Sequence, residues 1–300
     1  MDTDSGPVVA CTMCAPLANF SYEGDSLSIG NGYSIDRITD TERDRLATWG
    51  ASSDETTHAI HSTRYMTADM TSDEWEAVRH PHPGWVKRAV TTALHLHKTG
   101  CLTVPWVIEF AEDGRPTFMM GTPVIDVWRS AIDYSFTADD IEPFARLWRE
   151  CSPGFADDRL SLSLYRFAKG CETAAADSLI DLMIAAEALF LKESGFELNY
   201  RMALRMAFFL EDTPRERMTV FETAKNAYNL RSKMVHGQVG AGRKRSPRGA
   251  VTTIKAFEHL MRRALRRAST HVQNESWPPE WEDFIFSDGH FGATPVPEKR

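Results

Sequence analysis

The pattern of apolar residues along this chain changes once, near Thr137. Before it lie short runs typical of β-strands, at 7–13, 26–38, 57–66, 103–110 and 115–124, and one amphipathic helical segment at 83–98. After it lie six helical segments separated by proline and glycine, at 138–151, 157–170, 174–192, 197–211, 214–236 and 249–272. We therefore predict an α+β chain, in which a mixed α/β domain at 1–136 precedes an all-α domain at 137–273.

The loops between the helical segments are short compared with the helices. Short connections favour antiparallel neighbours, so the all-α domain is predicted to be an up-and-down helical bundle. The C-terminal segment at 274–300 is rich in proline and is predicted to be irregular.

The composition suits a folded protein, because 42% of the 300 residues are hydrophobic and 25% are charged. The net charge of −8 argues against a nucleic-acid partner for the chain as a whole. Between Arg231 and His271, however, eleven residues are basic and only Glu258 is acidic. This stretch fits either a solvated charged surface or a surface that contacts phosphates.

The expected location is the cytoplasm, with no membrane segment. The N-terminus has neither the basic region nor the apolar region of a signal peptide. The most apolar run, Leu179–Leu191, contains Asp181 and Glu187 and is too short to cross a bilayer. Five scattered cysteines fit reduced thiols better than a disulfide framework.

No metal site and no cofactor are expected from the sequence. Cys11 and Cys14 form a single Cys-x-x-Cys without the second pair that a zinc site requires. The histidines pair at spacings that match no recognised ligand set, which favours scattered surface histidines; the pairs are His58 with His61, His80 with His82, and His95 with His97. Phosphate-binding glycine loops and the Gly-x-Ser-x-Gly and His-Glu-x-x-His motifs are also absent from the sequence.

The motif with most functional information is YNLRSKMVHG at 228–237, where Arg231 and His236 lie at the end of a predicted helix. The spacing alone means little, since Arg266 and His271 share it. Two upstream blocks provide context: ADSLIDLMIAAEALFL at 176–191 and ELNYRMALRMA at 197–207. Taken in order, the three blocks resemble the HEPN superfamily and, within it, the ApeA-like branch, over roughly 157–272.

The resemblance implies a metal-independent endoribonuclease with Arg231 and His236 as catalytic residues. His236 would be the general base on the RNA 2′-hydroxyl or the general acid to the leaving 5′-oxygen, and Arg231 would stabilise the phosphorane. The products would be a 2′,3′-cyclic phosphate and a 5′-hydroxyl. It also implies a homodimer with a composite active site, tRNA or host messenger RNA as candidate targets, and a role as a toxin or in anti-phage defence through abortive infection. The N-terminal domain would sense the trigger or regulate the nuclease.

Several other residues of the helical domain are candidates for supporting roles. Glu187, on an apolar stripe, needs a cation such as Arg231 and fits a structural ion pair or direct participation. Tyr228 fits a core position or stacking on a base. Ser232 lies directly after the arginine, where many catalytic members of this superfamily have Asn, Asp or His. Further basic residues are candidates for contacts with the RNA backbone: Lys233, Arg201, Arg205, Arg243, Lys244 and Arg245.

Two alternatives remain open for the motif. His236 and Gly237 could simply end a helix, because imidazole is favourable at the C-terminal end and glycine adopts the left-handed cap. This role at the helix end is compatible with catalysis. The second alternative is a non-catalytic module that binds nucleic acid, nucleotide or a protein partner, in which Arg231 and His236 serve only the bundle.

Overall fold

The computed structural model describes residues 8–30, 32–51, 56–67, 82–100, 102–121, 134–173, 175–191, 196–236, 247–273 and 277–287. The chain divides into two compact units, Met1–Trp148 and Arg149–Arg300. The division lies twelve residues beyond the boundary expected from the sequence at 136/137. Within the described ranges, no helix is long and apolar enough to cross a membrane.

The first unit is built on a six-stranded antiparallel sheet with the strand order β3-β4-β5-β1-β6-β7. A separate parallel pair joins β2 and β8. The strands are β1 (Val8–Pro16), β2 (Phe20–Tyr22), β3 (Ser26–Gly30), β4 (Tyr33–Arg37), β5 (His58–Thr67), β6 (Trp106–Ala111), β7 (Pro116–Gly121) and β8 (Tyr134–Phe136). The prediction of a mixed α/β first part followed by helices is confirmed at the level of an α+β fold.

The register of this sheet determines which side chains share a face. Cys14 of β1 is opposite His61 of β5, which is opposite Ser34 of β4. The next positions along, Ile60 of β5 and Ile35 of β4, point to the other face because side chains alternate along a strand. Both isoleucines are fully buried. The face with Cys14 and His61 combines apolar side chains with polar ones.

The stretch at 26–38, predicted as one strand, is a hairpin of β3 and β4. Gly30 and Gly32 have φ angles of 91° and 77°, in the left-handed region that glycine adopts without strain. The chain reverses at these glycines, which divides the run into two strands. The alternation of residues at 26–38 did not reveal this turn.

Among the residues that the structure describes, the first unit contains the helices α1 (Asp40–Thr48) and α2 (Pro83–His97), and most of a third helix at Ile141–Cys151. The sequence predicts α2 but not α1, which is only nine residues long. A capping box starts α1: the Thr39 hydroxyl accepts from the Glu42 backbone, and the Glu42 carboxylate accepts from the Thr39 backbone. Leu46 of α1 is buried in a cluster with side chains of the mixed sheet face; they include Cys14, Ala59, Ile108 and Phe110.

The described residues after β8 are mainly helical. The helices are α3 (Ile141–Cys151), α4 (Asp158–Glu172), α5 (Ala175–Phe190), α6 (Leu198–Leu210), α7 (Pro214–Val235), α8 (Pro247–Gln273) and α9 (Trp281–Phe286). From α4 to α8, each helix contacts the next one along the chain. In addition, α5 contacts α7, and the longest helix, α8, contacts α4, α5 and α6. The second unit is therefore a helical bundle, as predicted, with its helices close to the expected positions.

The C-terminal segment differs from the irregular structure predicted for 274–300. Trp277, Trp281 and Phe284 follow a helical spacing of four and three residues, and all three are buried. The Trp277 and Phe209 ring centroids are 5.1 Å apart, and those of Trp281 and Phe190 are 5.5 Å apart. This aromatic packing orders α9 against the bundle, which the proline content of the segment does not reveal.

Candidate functional site

The Arg231 and His236 motif lies at the C-terminal end of α7. The helix begins at Pro214, where the Thr213 hydroxyl accepts from the Glu216 backbone. It ends at Val235, and the backbone N–H of the capping residue His236 donates to the Ser232 carbonyl over 3.1 Å. The structure thus agrees with the sequence in ending this helix within the motif, with His236 as the C-cap.

Arg231 and His236 have different surroundings. Val220, Ala224 and Ala227 are buried, and the same spacing of four and three residues continues to Arg231. Arg231 is half-buried, and its Nε is a buried donor without a hydrogen-bond partner in the part of the chain that the structure describes. His236 is exposed. On an α-helix, five positions correspond to a rotation of about 140° and a rise of about 7.5 Å, so one helix does not align the two groups.

Glu187 lies on α5, which contacts α7, and it interacts with Arg231 through charge. Burial raises the pKa of Glu187, the positive charge of Arg231 lowers it, and the net pKa is raised. No hydrogen bond between these two described side chains contributes to the pKa. Arg231 is thus a cation that interacts with Glu187, as expected from the sequence, but through charge and without a direct hydrogen bond.

The neighbouring residues of α7 divide between two environments. Tyr228 and Ser232 are half-buried, whereas Lys233 is exposed. Positions 228, 232 and 236 are each four apart, so Tyr228, Ser232 and His236 lie on one side of the helix. Gly237, Arg243, Lys244 and Arg245 lie outside the described residues.

The prediction that Arg205 contacts the RNA backbone is corrected by the structure, because the Arg205 side chain is buried. Its side chain is 3% exposed and donates to the Phe190 carbonyl over 2.7 Å. Its guanidinium also lies 5.3 Å from the centre of the Trp281 ring. Phe190 ends α5, where carbonyls lack partners within the helix, so Arg205 stabilises that terminus. Arg201, one turn earlier, is half-buried.

Part of the positive charge between 231 and 271 also stabilises the bundle. Arg262 and Glu258 form a buried pair at 2.7 Å, and Arg263 pairs with Glu211 at 2.7 Å. Arg267 lies over the Phe209 ring at 5.1 Å. In contrast, Lys255 and Arg266 are exposed. The basic stretch is therefore partly a set of packing contacts and only partly a surface open to phosphate.

The first unit contains a polar cluster that the sequence analysis missed: Cys14, Glu42 and His61. His61 Nε2 lies 2.9 Å from Glu42 Oε1, and His61 Nδ1 lies 3.4 Å from Asp36 Oδ2. The expectation of surface histidines is wrong here, because the side chain of His61 is only 11% exposed. His58 and His95 are buried too.

The protonation states of the cluster follow from burial and hydrogen bonds. Burial alone would lower the pKa of His61, but hydrogen bonds to Cys14 and Glu42 and their charges raise it to about 10. Burial alone would raise the pKa of Glu42. The hydrogen bonds from His61 and Thr39 outweigh this effect, so the pKa of Glu42 falls to about 2. Burial raises the pKa of the Cys14 thiol. At neutral pH the cluster contains an imidazolium, a carboxylate and a thiol.

Adjacent sequence positions gave no indication of this cluster. Cys11 and Cys14 are three residues apart on β1, so their side chains point to opposite faces, and the same holds for His58 and His61 on β5. Cys14 meets His61 across the strands instead. The strand register is the information that identifies the cluster, together with the capping-box pattern at Thr39 and Glu42.

Comparisons of the chain with protein-family profiles, with curated proteins and with solved structures give no match.

Proposed function

We propose that the helical unit is a metal-independent endoribonuclease in which Arg231 and His236 are the catalytic residues. The observation that carries the proposal is the end of α7. There Arg231 is half-buried and its buried Nε has no partner among the described residues, whereas His236 is exposed. A guanidinium that has a donor without a partner in the described part of the chain can turn toward an anionic ligand.

The proposed reaction is attack of the RNA 2′-hydroxyl on the adjacent phosphorus. His236 removes the hydroxyl proton as general base, or donates a proton to the leaving 5′-oxygen as general acid. Arg231 stabilises the negative charge that develops on the phosphorane oxygens. The products are a 2′,3′-cyclic phosphate and a 5′-hydroxyl, and DNA resists cleavage because it lacks the 2′-hydroxyl.

Arg231 and His236 are not aligned on one helix. In a homodimer, Arg231 of one copy and His236 of the other could meet in a shared cleft. An exposed row of apolar side chains on α7 supports this arrangement. Met218 and Val235 are 56% and 52% exposed, and the half-buried Phe221 and Tyr228 lie between them at spacings of three and seven residues. The row leads directly to His236, and apolar rows of this kind are typical of protein interfaces.

Glu187 is proposed to position Arg231. Its carboxylate is half-buried and its position on α5 lets it attract the guanidinium without a direct hydrogen bond. Such an interaction restrains the direction of the arginine while its donors stay available to a phosphate. Exposed Lys233 is proposed to contact the RNA backbone.

The biological role of the enzyme is inferred from resemblance to ApeA-like proteins. We propose that it acts in the cytoplasm on tRNA or host messenger RNA, and that the resulting arrest of growth protects a population from phage. The first unit is proposed to sense the trigger or regulate the nuclease.

A non-catalytic binding module is the second candidate. The observation that favours it is that His236 caps α7, while Arg262, Arg263 and Arg267 make internal contacts. In that case Arg231 and His236 would serve the helix end and the bundle, and exposed basic residues would bind a partner without cleavage.

The experiment that separates the two candidates compares RNA cleavage by the full-length protein and by two histidine variants. His236→Ala is expected to abolish cleavage of bulk RNA and tRNA. His259→Ala is the matched control, because His259 is an exposed helical histidine on α8. Equal activity of the wild type and His236→Ala, or binding of RNA without cleavage by any of the three proteins, would contradict the ribonuclease proposal.

A further inference from the structure

The first unit brings together three side chains of different chemistry from distant parts of the chain. Cys14 and His61 are cross-strand neighbours on β1 and β5, and Glu42 reaches them from α1. One ligand atom of each, a sulfur, a nitrogen and an oxygen, lies within 4.8 Å of the other two. In the described ranges, no other group of three histidine, cysteine or carboxylate side chains is arranged in this way.

We propose that Cys14, Glu42 and His61 bind a zinc ion in the first unit. Thiolate, imidazole and carboxylate are the ligands that zinc takes in proteins, at distances of about 2.0–2.3 Å. A tetrahedral ion at those distances holds its ligand atoms roughly 3.3–3.6 Å apart. The observed separation of His61 Nε2 and Glu42 Oε1 is 2.9 Å, so the two groups need to move apart by only a few tenths of an ångström.

The second oxygen of Glu42 is already oriented by hydrogen bonds. Glu42 Oε2 accepts from the Thr39 backbone N–H over 2.9 Å and from the Thr39 hydroxyl over 2.8 Å. These bonds belong to the capping box at the start of α1, and they leave Oε1 directed at His61. The carboxylate therefore has one oxygen for the protein and one for the metal.

His61 has the division of roles that zinc-binding histidines have. Its Nδ1 donates to the Ala59 carbonyl over 3.1 Å and lies 3.4 Å from the Asp36 carboxylate, which leaves Nε2 for the ion. In zinc sites the second ring nitrogen of a histidine ligand donates in this way to a carbonyl or a carboxylate. Asp36 is itself fixed, because it accepts from the hydroxyls of Ser26 and Ser34.

A cleft of about 330 Å³ provides access to the cluster. Glu42 and His61 line the cleft, whereas Cys14 is buried behind them. Hydroxyl side chains line much of the remaining surface, and Gly32, Asp36 and Arg37 complete it; the hydroxyl residues are Thr12, Ser34, Thr39, Ser62 and Thr63. An ion can enter from this side, and a water molecule in the cleft would complete four-coordination. Binding would release the protons of the Cys14 thiol and the His61 imidazolium to solvent.

The competing explanation is an ion pair of His61 and Glu42 that holds α1 on the sheet without a metal. The two explanations differ in the role of Cys14, because an ion pair does not require a thiol and the proposed zinc site does. Cys11 provides a matched control. It is as buried as Cys14 and lies on the same strand, but on the opposite face.

The first test measures zinc in full-length protein without a polyhistidine tag, purified from cells supplied with zinc. Wild type and Cys11→Ala are expected to contain about one zinc ion per chain, and Cys14→Ala less than about one fifth of that amount. Zinc in Cys14→Ala equal to that of the wild type would overturn the proposal, as would a wild-type protein that neither contains zinc nor takes it up.

A cobalt titration of the metal-free wild type keeps the proposal testable if Cys14→Ala does not fold. Cobalt bound in the proposed site would give a thiolate-to-cobalt charge-transfer band in the near ultraviolet, which reports directly on cysteine ligation. Cys11→Ala is expected to give the same band. A wild-type protein that develops no such band with excess cobalt would overturn the proposal. Ribonuclease activity is not part of either measurement, so the result is independent of the proposed function.

Discussion

Arg231 on α7 and Glu187 on α5 attract each other through charge, with no hydrogen bond between these two described side chains. Glu187 is half-buried, and Arg231 Nε is a buried donor that has no partner in the described part of the chain. Arg231 thus has a charge interaction with Glu187, and its Nε remains without a hydrogen-bond partner among the described residues. This is the relationship that we expect of a positioning carboxylate beside an arginine that binds phosphate.

Glu187→Gln is expected to keep or raise the free energy of unfolding at neutral pH. Burial raises the pKa of Glu187 above its ordinary value of 4.5, so the ionised carboxylate costs stability in the folded state. The wild type should therefore lose part of its stability as the pH rises through the raised pKa, and the glutamine variant should not. Urea unfolding at pH 4.5 and pH 7 measures the difference. Cleavage should fall in the same variant, with Glu222→Gln as the control for an exposed glutamate.

The composite site predicts complementation between two inactive variants. Arg231→Ala and His236→Ala should each be inactive as homodimers, whereas a heterodimer of the two retains one arginine and one histidine. Mixing the variants and allowing subunit exchange should restore up to about one quarter of the wild-type activity, because random pairing makes half of the dimers heterodimers and each of these retains one of the two Arg231–His236 pairs. Failure to restore activity in a mixture shown to contain heterodimers would contradict a shared site.

The proposed dimer is expected to form through the apolar row on α7. Val235→Glu should convert the dimer to a monomer and abolish cleavage, because an unpaired carboxylate in an apolar interface is costly. Leu162→Glu is the control, since Leu162 of α4 is 51% exposed and Val235 is 52% exposed. Light scattering measures the mass of both variants. Dimerisation of Val235→Glu at wild-type affinity would exclude this face.

Arg205 is predicted to contribute to stability and not to RNA binding. Its truncation removes a buried charged donor from the Phe190 carbonyl, so Arg205→Ala should destabilise the protein by about 2–3 kcal/mol. Lys233→Ala, at an exposed position, should change stability by less than about 0.5 kcal/mol and should weaken RNA binding. Denaturant unfolding and RNA titration of the two variants should give these opposite results.

The capping box of α1 offers a separate test of local stability. Thr39→Ala removes the hydroxyl that accepts from the Glu42 backbone, and it should lower the free energy of unfolding by about 1 kcal/mol. Thr48→Ala is the control, because the Thr48 hydroxyl only donates to the Asp44 carbonyl within the last turn. Equal effects of both substitutions would mean that the box does not stabilise the start of α1.

The helices of the second unit could be predicted because their signals are local. Thr213 and Pro214 mark the start of α7, and the prediction of 214–236 differs from the observed end at Val235 by one residue. By contrast, the burial of Arg205 depends on Trp281, which lies far away in the sequence. No local pattern contains that contact.

The sheet of the first unit shows the same limit. Strand positions follow from alternating apolar residues. The pairing of Cys14 with His61, which are forty-seven positions apart in the sequence, depends on the register between β1 and β5. The hairpin turn at Gly30 and Gly32 was missed because the strands on both sides have the same alternation. A site assembled across strands is therefore invisible until the register is known.

The most direct test of the ribonuclease proposal is the chemistry of the RNA ends. Purified wild-type protein and His236→Ala would be incubated with tRNA and bulk RNA in EDTA, and the product termini analysed by enzymatic end-labelling and mass spectrometry. The account predicts 2′,3′-cyclic phosphate and 5′-hydroxyl ends with the wild type only. Products with 3′-hydroxyl and 5′-phosphate ends, or identical products from His236→Ala, would contradict it.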